Sequence, residues 1–128
     1  MNTAVICIGS NIADKREHVR AALELLKVRF GEMAAASEIY LCPSHNGIGS
    51  DYANCVVRMI TDNSLDTSLD TLKEMERNAG RTAESKITGV MPLDIDIVIW
   101  NDRILRPYDF ERYHFINGCR QIEDKCRN

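Results

Sequence analysis

Apolar and polar positions along the chain follow two periods, and the switches between them mark the elements. Residues Ala4 to Ile8 are a continuous apolar run stopped by Gly9-Ser10-Asn11, too short for a helix, which predicts a buried strand. From Asp14 onward Val19, Ala22, Leu23, Leu26 and Phe30 recur at helical spacing, which predicts an amphipathic helix of about four turns. Gly31 is placed to end it through a left-handed cap. Met33 to Leu41 reads as a second strand despite the helix-favouring Ala34-Ala35-Ala36, and Ala53 to Thr61 reads as a third. Between them, Cys42 to Ser50 is too rich in Gly, Pro, Ser and Asn for regular structure.

Leu65, Leu69, Leu72, Met75 and Ala79 form a second helical stripe, with Ser64 a candidate N-cap and Gly80 a candidate for the position after the C-cap. A polar loop from Arg81 to Pro92 follows. Leu93 to Trp100 is β-branched and apolar except for Asp94 and Asp96, and Asn101-Asp102 offers a tight turn into Arg103 to Arg106. The tail from Pro107 to Asn128 shows no clear period, and because its last residues are polar its end is expected to fray. The order strand, helix, strand, strand, helix, strand predicts an α+β, ferredoxin-like (split βαβ) antiparallel sheet with both helices on one face and the other face left free.

Composition narrows the function. A chain of 128 residues, 45% hydrophobic and 27% charged, has the profile of one folded domain, taken here as 1–128. A net charge of −3 and the lack of any basic run argue against nucleic acid as the main partner. No apolar stretch approaches the roughly 18 residues of a membrane span, and the N-terminus lacks the pattern of a secretory signal. The five cysteines form no CxxC pair, so a reducing cytoplasm fits better than a zinc ribbon or a disulfide framework.

Leu93-Asp94-Ile95-Asp96-Ile97 carries the most chemistry. Side chains alternate along a strand, so both carboxylates point to one face. Two like charges this close raise one another's pKa unless a cation neutralises them, and Mg²⁺ is the hard ion that bridges carboxylates to phosphates. The alternative is a solvated strand face bearing two ordinary acids.

Ile6-Cys7-Ile8-Gly9-Ser10-Asn11 resembles the opening of the 6-hydroxymethyl-7,8-dihydropterin pyrophosphokinase family, and Leu93-Asp94-Ile95-Asp96-Ile97 resembles its metal-binding signature. Tyr40-Leu41-Cys42-Pro43, Asp51-Tyr52-Ala53-Asn54, Met75-Glu76 and Gly80-Arg81 resemble further family segments in the same order, over about residues 3 to 122. The resemblance implies transfer of pyrophosphate from ATP to a reduced pterin in folate biosynthesis, releasing AMP. It implies ATP and the pterin as small-molecule partners and two Mg²⁺ ions on Asp94 and Asp96. Arg81 would join these two as catalytic, Cys42, Pro43, Tyr52 and Asn54 would bind the pterin, and Glu76, His114, Phe115 and Arg120 the nucleotide. His45 reads as a surface residue of its polar loop.

The chain also departs from the family pattern. Met91 stands where the family keeps an arginine three residues before its first metal-binding Asp, and Ala83 where a second loop arginine is common. Thr88 replaces a Trp that closes over the pterin, and Ile122 an aromatic that sandwiches it. These departures keep two alternatives open, a degenerate member that binds ligand without efficient transfer and a purely structural ferredoxin-like module.

Overall fold

A computed structural model describes residues 1–44 and 50–127; His45, and the part of the pterin-loop expectation that falls on 45–49, lie outside the described residues. The elements are β1 (Asn2–Ser10), α1 (Lys15–Arg29), β2 (Glu32–Ala36), β3 (Tyr40–Cys42), β4 (Tyr52–Thr61), α2 (Leu65–Asn78), α3 (Ser85–Thr88), β5 (Asp94–Trp100), β6 (Arg103–Ile104), α4 (Pro107–Phe110) and α5 (Tyr113–Arg127). One antiparallel sheet runs β2-β4-β1-β5-β6, with β3 also paired to β4. This is the α+β, ferredoxin-like order expected from the sequence.

The pleat sorts side chains between two cores. Ala4, Ile6 and Ile8 of β1, Cys55, Val57 and Met59 of β4, and Ile95 and Ile97 of β5 pack with Val19, Ala22 and Leu26 of α1 and Leu72 and Met75 of α2. Both long helices therefore cover the same face, as expected. The alternating set Cys7, Val56 and Val98 faces the other way and is covered by Phe115 and Ile122 of α5.

That second core corrects the expectation of a free face: the tail, which shows no clear period in sequence, forms a helix that covers it. Aromatic residues in the tail gave no readable period, yet α5 lies against β4 and β2. Gly118 permits the contact, since a Cβ there would overlap Val56 and lie 2.7 Å from the Tyr40 hydroxyl. Tyr40 Oη in turn donates to the His114 carbonyl, which fixes the start of α5.

Three local readings change. Gly31 is not a left-handed cap: α1 ends at Phe30 in right-handed geometry, and Gly31 is needed because a Cβ would overlap the Ile60 carbonyl oxygen of β4. The second strand is two pieces, since Ser37 turns inward, its Oγ accepting the Val56 N–H at 2.9 Å. The loop after α2 contains the single turn α3. Ser64 caps α2 as expected, accepting the Thr67 N–H, and Gly80 follows its C-cap with φ 105°. Among the described residues no helix is long and apolar enough to cross a membrane.

Candidate functional site

The sheet register assembles the site. Gly9 of β1 pairs with Asn54 of β4 on one side and with Asp94 of β5 on the other, and Asn54 pairs outward with Tyr40 of β3. One row thus crosses four strands as Tyr40, Asn54, Gly9 and Asp94. In the next row on that face, Cys7 sits between Val56 and Asp96. Segments far apart in sequence therefore meet at one end of the face opposite α1 and α2.

A cavity of about 100 Å³ opens there, lined by Cys7, Gly9, Cys42, Pro43, Tyr52, Asn54, Asp94, Asp96, Asp109 and His114. Asn54 is only 6% exposed, and its amide hydrogen-bonds the Cys42 thiol. Burial pushes the Cys7 and Cys42 thiols and the Tyr52 phenol up, so all three are neutral groups near pH 7. The three carboxylates on the wall give the cavity an acidic side facing an amide.

Asp94 and Asp96 do share a face, and a third carboxylate joins them. β6 pairs only with Ile99 and Trp100, so the edge of β5 beside Ile95 is open. Glu76 near the end of α2 reaches it, and its Oε2 accepts the Ile95 N–H at 2.9 Å. Oxygen atoms of Glu76, Asp94 and Asp96 lie within 4.8 Å of one another.

Two guanidinium groups flank this cluster. Gly80 turns the chain after α2, and the Arg81 side chain then bridges Glu76 and Asp94, the latter at 3.0 Å. Arg106 lies 3.7 Å from Asp96 and donates through Nε to Asp109. The compensation is partial: burial, then the neighbouring Asp94 charge, push Asp96 up to about 8, with Arg106 pulling the other way. Burial also raises Glu76, against the opposing effects of the Ile95 N–H and Arg81. An all-oxygen set short of positive charge fits a hard divalent cation such as Mg²⁺.

Two grooves meet at the cluster. One of about 510 Å³ is lined by Tyr52, Lys73, Glu76, Arg81, Ser85, Lys86, Gly89, Met91, Asp94, Asp96 and Arg106, and shares Tyr52, Asp94 and Asp96 with the cavity. The other, about 270 Å³, follows the open edge of β5 between Leu69, Leu72, Ile97 and Leu105 and shares Lys73, Glu76, Asp96 and Arg106 with the first.

Of the residues singled out from the sequence, Cys42, Pro43, Tyr52, Asn54, Asp94, Asp96 and His114 meet at the cavity, and Glu76 and Arg81 at the groove beside it. Two do not come to the site. Phe115 is 1% exposed within the second core, and Arg120 is an exposed residue of α5 outside these cavities. Ile122 belongs to the same core, so it does not stand at the cavity wall. Met91 is 8% exposed, and Asn11 holds its loop through the Asn11 N–H to the Met91 carbonyl at 3.0 Å and the Met91 N–H to Asn11 Oδ1 at 2.6 Å. Thr88 is exposed at the end of α3.

Sequence reasoning missed Cys7, Lys73, Lys86, Arg106 and Asp109. The Arg106/Asp109 spacing on one helical turn was a readable signal for that pair. The lysines carried no such signal, because their relation to Asp94 depends on where α2 and α3 pack.

A family model described as 7,8-dihydro-6-hydroxymethylpterin-pyrophosphokinase matches residues 5–124. The chain is 30% identical over 125 residues to a 2-amino-4-hydroxy-6-hydroxymethyldihydropteridine pyrophosphokinase of Haemophilus influenzae, covering 91% of this chain and 78% of that one. It is 29% identical over 102 residues to the protein of the same name from Porphyromonas gingivalis, covering 77% and 69%. A folate synthesis bifunctional protein of Arabidopsis thaliana is 27% identical over 112 residues, which is 82% of this chain and 23% of that larger protein.

Proposed function

The chain belongs to the 7,8-dihydro-6-hydroxymethylpterin-pyrophosphokinase family, and from that premise we propose that it transfers the pyrophosphoryl group of ATP to the hydroxymethyl group of a reduced pterin, a step of folate biosynthesis. In the balanced reaction the hydroxymethyl oxygen bonds to the β-phosphorus, the bond from that phosphorus to the oxygen bridging the α-phosphorus breaks, AMP leaves with that oxygen, and the hydroxyl proton passes to water. The observation that carries the reading is the row Asn54, Gly9, Asp94, which sets an amide-walled cavity directly beside a three-carboxylate cluster.

Each neighbourhood suits one substrate. An amide offers a donor and an acceptor together, as the edge of a pterin requires, so Asn54 reads the ring while Tyr52, Cys42 and Pro43 wall it and His114 closes one side. Asp94, Asp96 and Glu76 would hold two Mg²⁺ ions. Such ions, when bound, neutralise the triphosphate and the charge that develops during transfer. Arg81 orients Glu76 and Asp94 toward that task. The apolar groove along the edge of β5 suits the base, since a flat heterocycle can pack on Leu72, Ile97 and Leu105. Holding both substrates across Asp94 makes transfer largely a matter of positioning and electrostatics. Among the described residues no disulfide joins Cys7, Cys42, Cys55 and Cys119, which suits a reducing cytoplasm.

A second reading, binding without efficient transfer, is favoured by one observation: the loop that carries family arginines has Ala83 and a largely buried Met91 instead. Calorimetric titration separates the binding sites. Asp94→Asn is expected to abolish Mg²⁺-dependent ATP binding and Asn54→Ala to weaken binding of 6-hydroxymethyl-7,8-dihydropterin; unchanged affinities in both would overturn the assignment.

A further inference from the structure

We propose that Lys73 and Lys86 are the polyphosphate-binding cations of this chain. The inference rests on the pyrophosphokinase reading and adds to it two residues that the sequence alone does not single out.

Arg81 is committed to Glu76 and Asp94, and Arg106 to Asp96 and Asp109. Both serve mainly to offset the acid cluster. Lys73 and Lys86 line the same 510 Å³ groove, and among the described residues neither ammonium is paired with a carboxylate. Two uncommitted cations lining a groove that also holds three carboxylates is the arrangement that a metal-bound polyanion completes.

Their placement supports the same occupant. Lys73 lies on α2 one turn before Glu76 and also lines the apolar groove, so it stands where that groove opens into the phosphate region. Lys86 sits on α3, between Ala83 and Met91 in sequence, and lines the same groove as Asp94. Met91 is packed inward by the Asn11 clasp and cannot offer charge, whereas the turn that precedes it carries Lys86 at the surface. An ammonium on a long flexible stem is a competent phosphate ligand, though it acts as a point charge rather than as a bidentate fork.

The test uses Lys73→Ala, Lys86→Ala, the double variant and Lys86→Arg in the full chain, with Lys27→Ala, on the outer surface of α1, as the control. Each single Ala substitution is expected to weaken Mg²⁺-dependent ATP binding about tenfold, as loss of a charge-assisted contact does, and to flatten its dependence on salt. Lys86→Arg should restore affinity, and Lys27→Ala should match wild type. A purely structural role would move melting temperature rather than the salt dependence. If wild type releases AMP and the double variant binds and turns over ATP as well as wild type, the inference is overturned and the pyrophosphokinase reading stands. If wild type releases no AMP, the catalytic reading fails, and Mg²⁺ with inorganic tripolyphosphate becomes the probe. Weaker binding by the double variant then supports the inference, and equal binding, or none by wild type, overturns it.

Discussion

Gly9 and Asn54 are register partners on β1 and β4, and a Cβ at residue 9 would lie 2.8 Å from Asn54 Oδ1 and 3.3 Å from the Tyr52 ring. The absence of a side chain on β1 is thus what lets the Asn54 amide and the Tyr52 ring lean into the cavity. Gly9→Ala is expected to displace the amide at a stability cost of about 1 kcal/mol while weakening pterin binding about tenfold. Calorimetry with the reduced pterin, set beside a thermal melt, reads the two effects separately. An unchanged affinity would mean that Asn54 does not read the ligand.

The acid cluster makes the metal-free protein sensitive to pH. An ordinary Asp titrates near 3.9, whereas burial and Asp94 hold Asp96 up near 8 in the folded chain. The folded state therefore keeps a proton that the unfolded chain has already lost, so this group costs stability progressively as pH rises from about 4 to about 8. Asp96→Asn should melt at a higher temperature than wild type at pH 8 to 9 in the presence of chelator, and the difference should close toward pH 4. Mg²⁺ should raise the melting temperature of wild type more than that of the variant. Parallel pH profiles for the two proteins would contradict this account.

Arg106 touches both halves of the site, because it lines the two grooves beside the acid cluster while its partner Asp109 lines the cavity. By removing the guanidinium that holds Asp96 and Asp109 in place, Arg106→Gln is expected to raise the KM for ATP about tenfold, the scale of a lost charge-assisted contact within the acid cluster. Steady-state kinetics at saturating pterin check it. An unchanged KM would confine Arg106 to holding α4.

Phe115 separates the folding role of the tail from a ligand role. As a fully buried ring against Cys7, Val56 and Val98, its replacement by Ala is expected to cost roughly 3–5 kcal/mol of stability. Nucleotide affinity per folded molecule should stay the same, and Arg120→Ala should change neither quantity. Chemical denaturation and titration of the folded fraction distinguish the two effects.

Much of this architecture is written locally. The stripes of α1 and α2, the Ser64 cap, the Gly80 turn and the paired aspartates of β5 follow from spacing alone, because each depends on residues within a turn or a pleat of one another. What escaped was set by partners distant in sequence. Gly31 has the position of a helix stop, yet its need for a bare Cα comes from the Ile60 carbonyl on β4. Phe115 and Ile122 lacked a readable period, and only the odd-numbered face of β1 shows what they cover. Glu76 joins the aspartates through an edge of β5 that stays open because β6 is two residues long, a fact no window around Glu76 contains. Strand spacing brought Asp94 and Asp96 forward and the resemblance Tyr52 and Asn54; the register explains why they stand together.

The most direct test of the central claim is formation of AMP from ATP and 6-hydroxymethyl-7,8-dihydropterin with Mg²⁺, followed by chromatography of both products, for wild type and for Asp94→Asn/Asp96→Asn. The account predicts equal amounts of AMP and pyrophosphorylated pterin from wild type, with neither formed when Mg²⁺ is chelated or both aspartates are replaced. Release of ADP instead of AMP, or AMP formation that persists in the double variant, would contradict it.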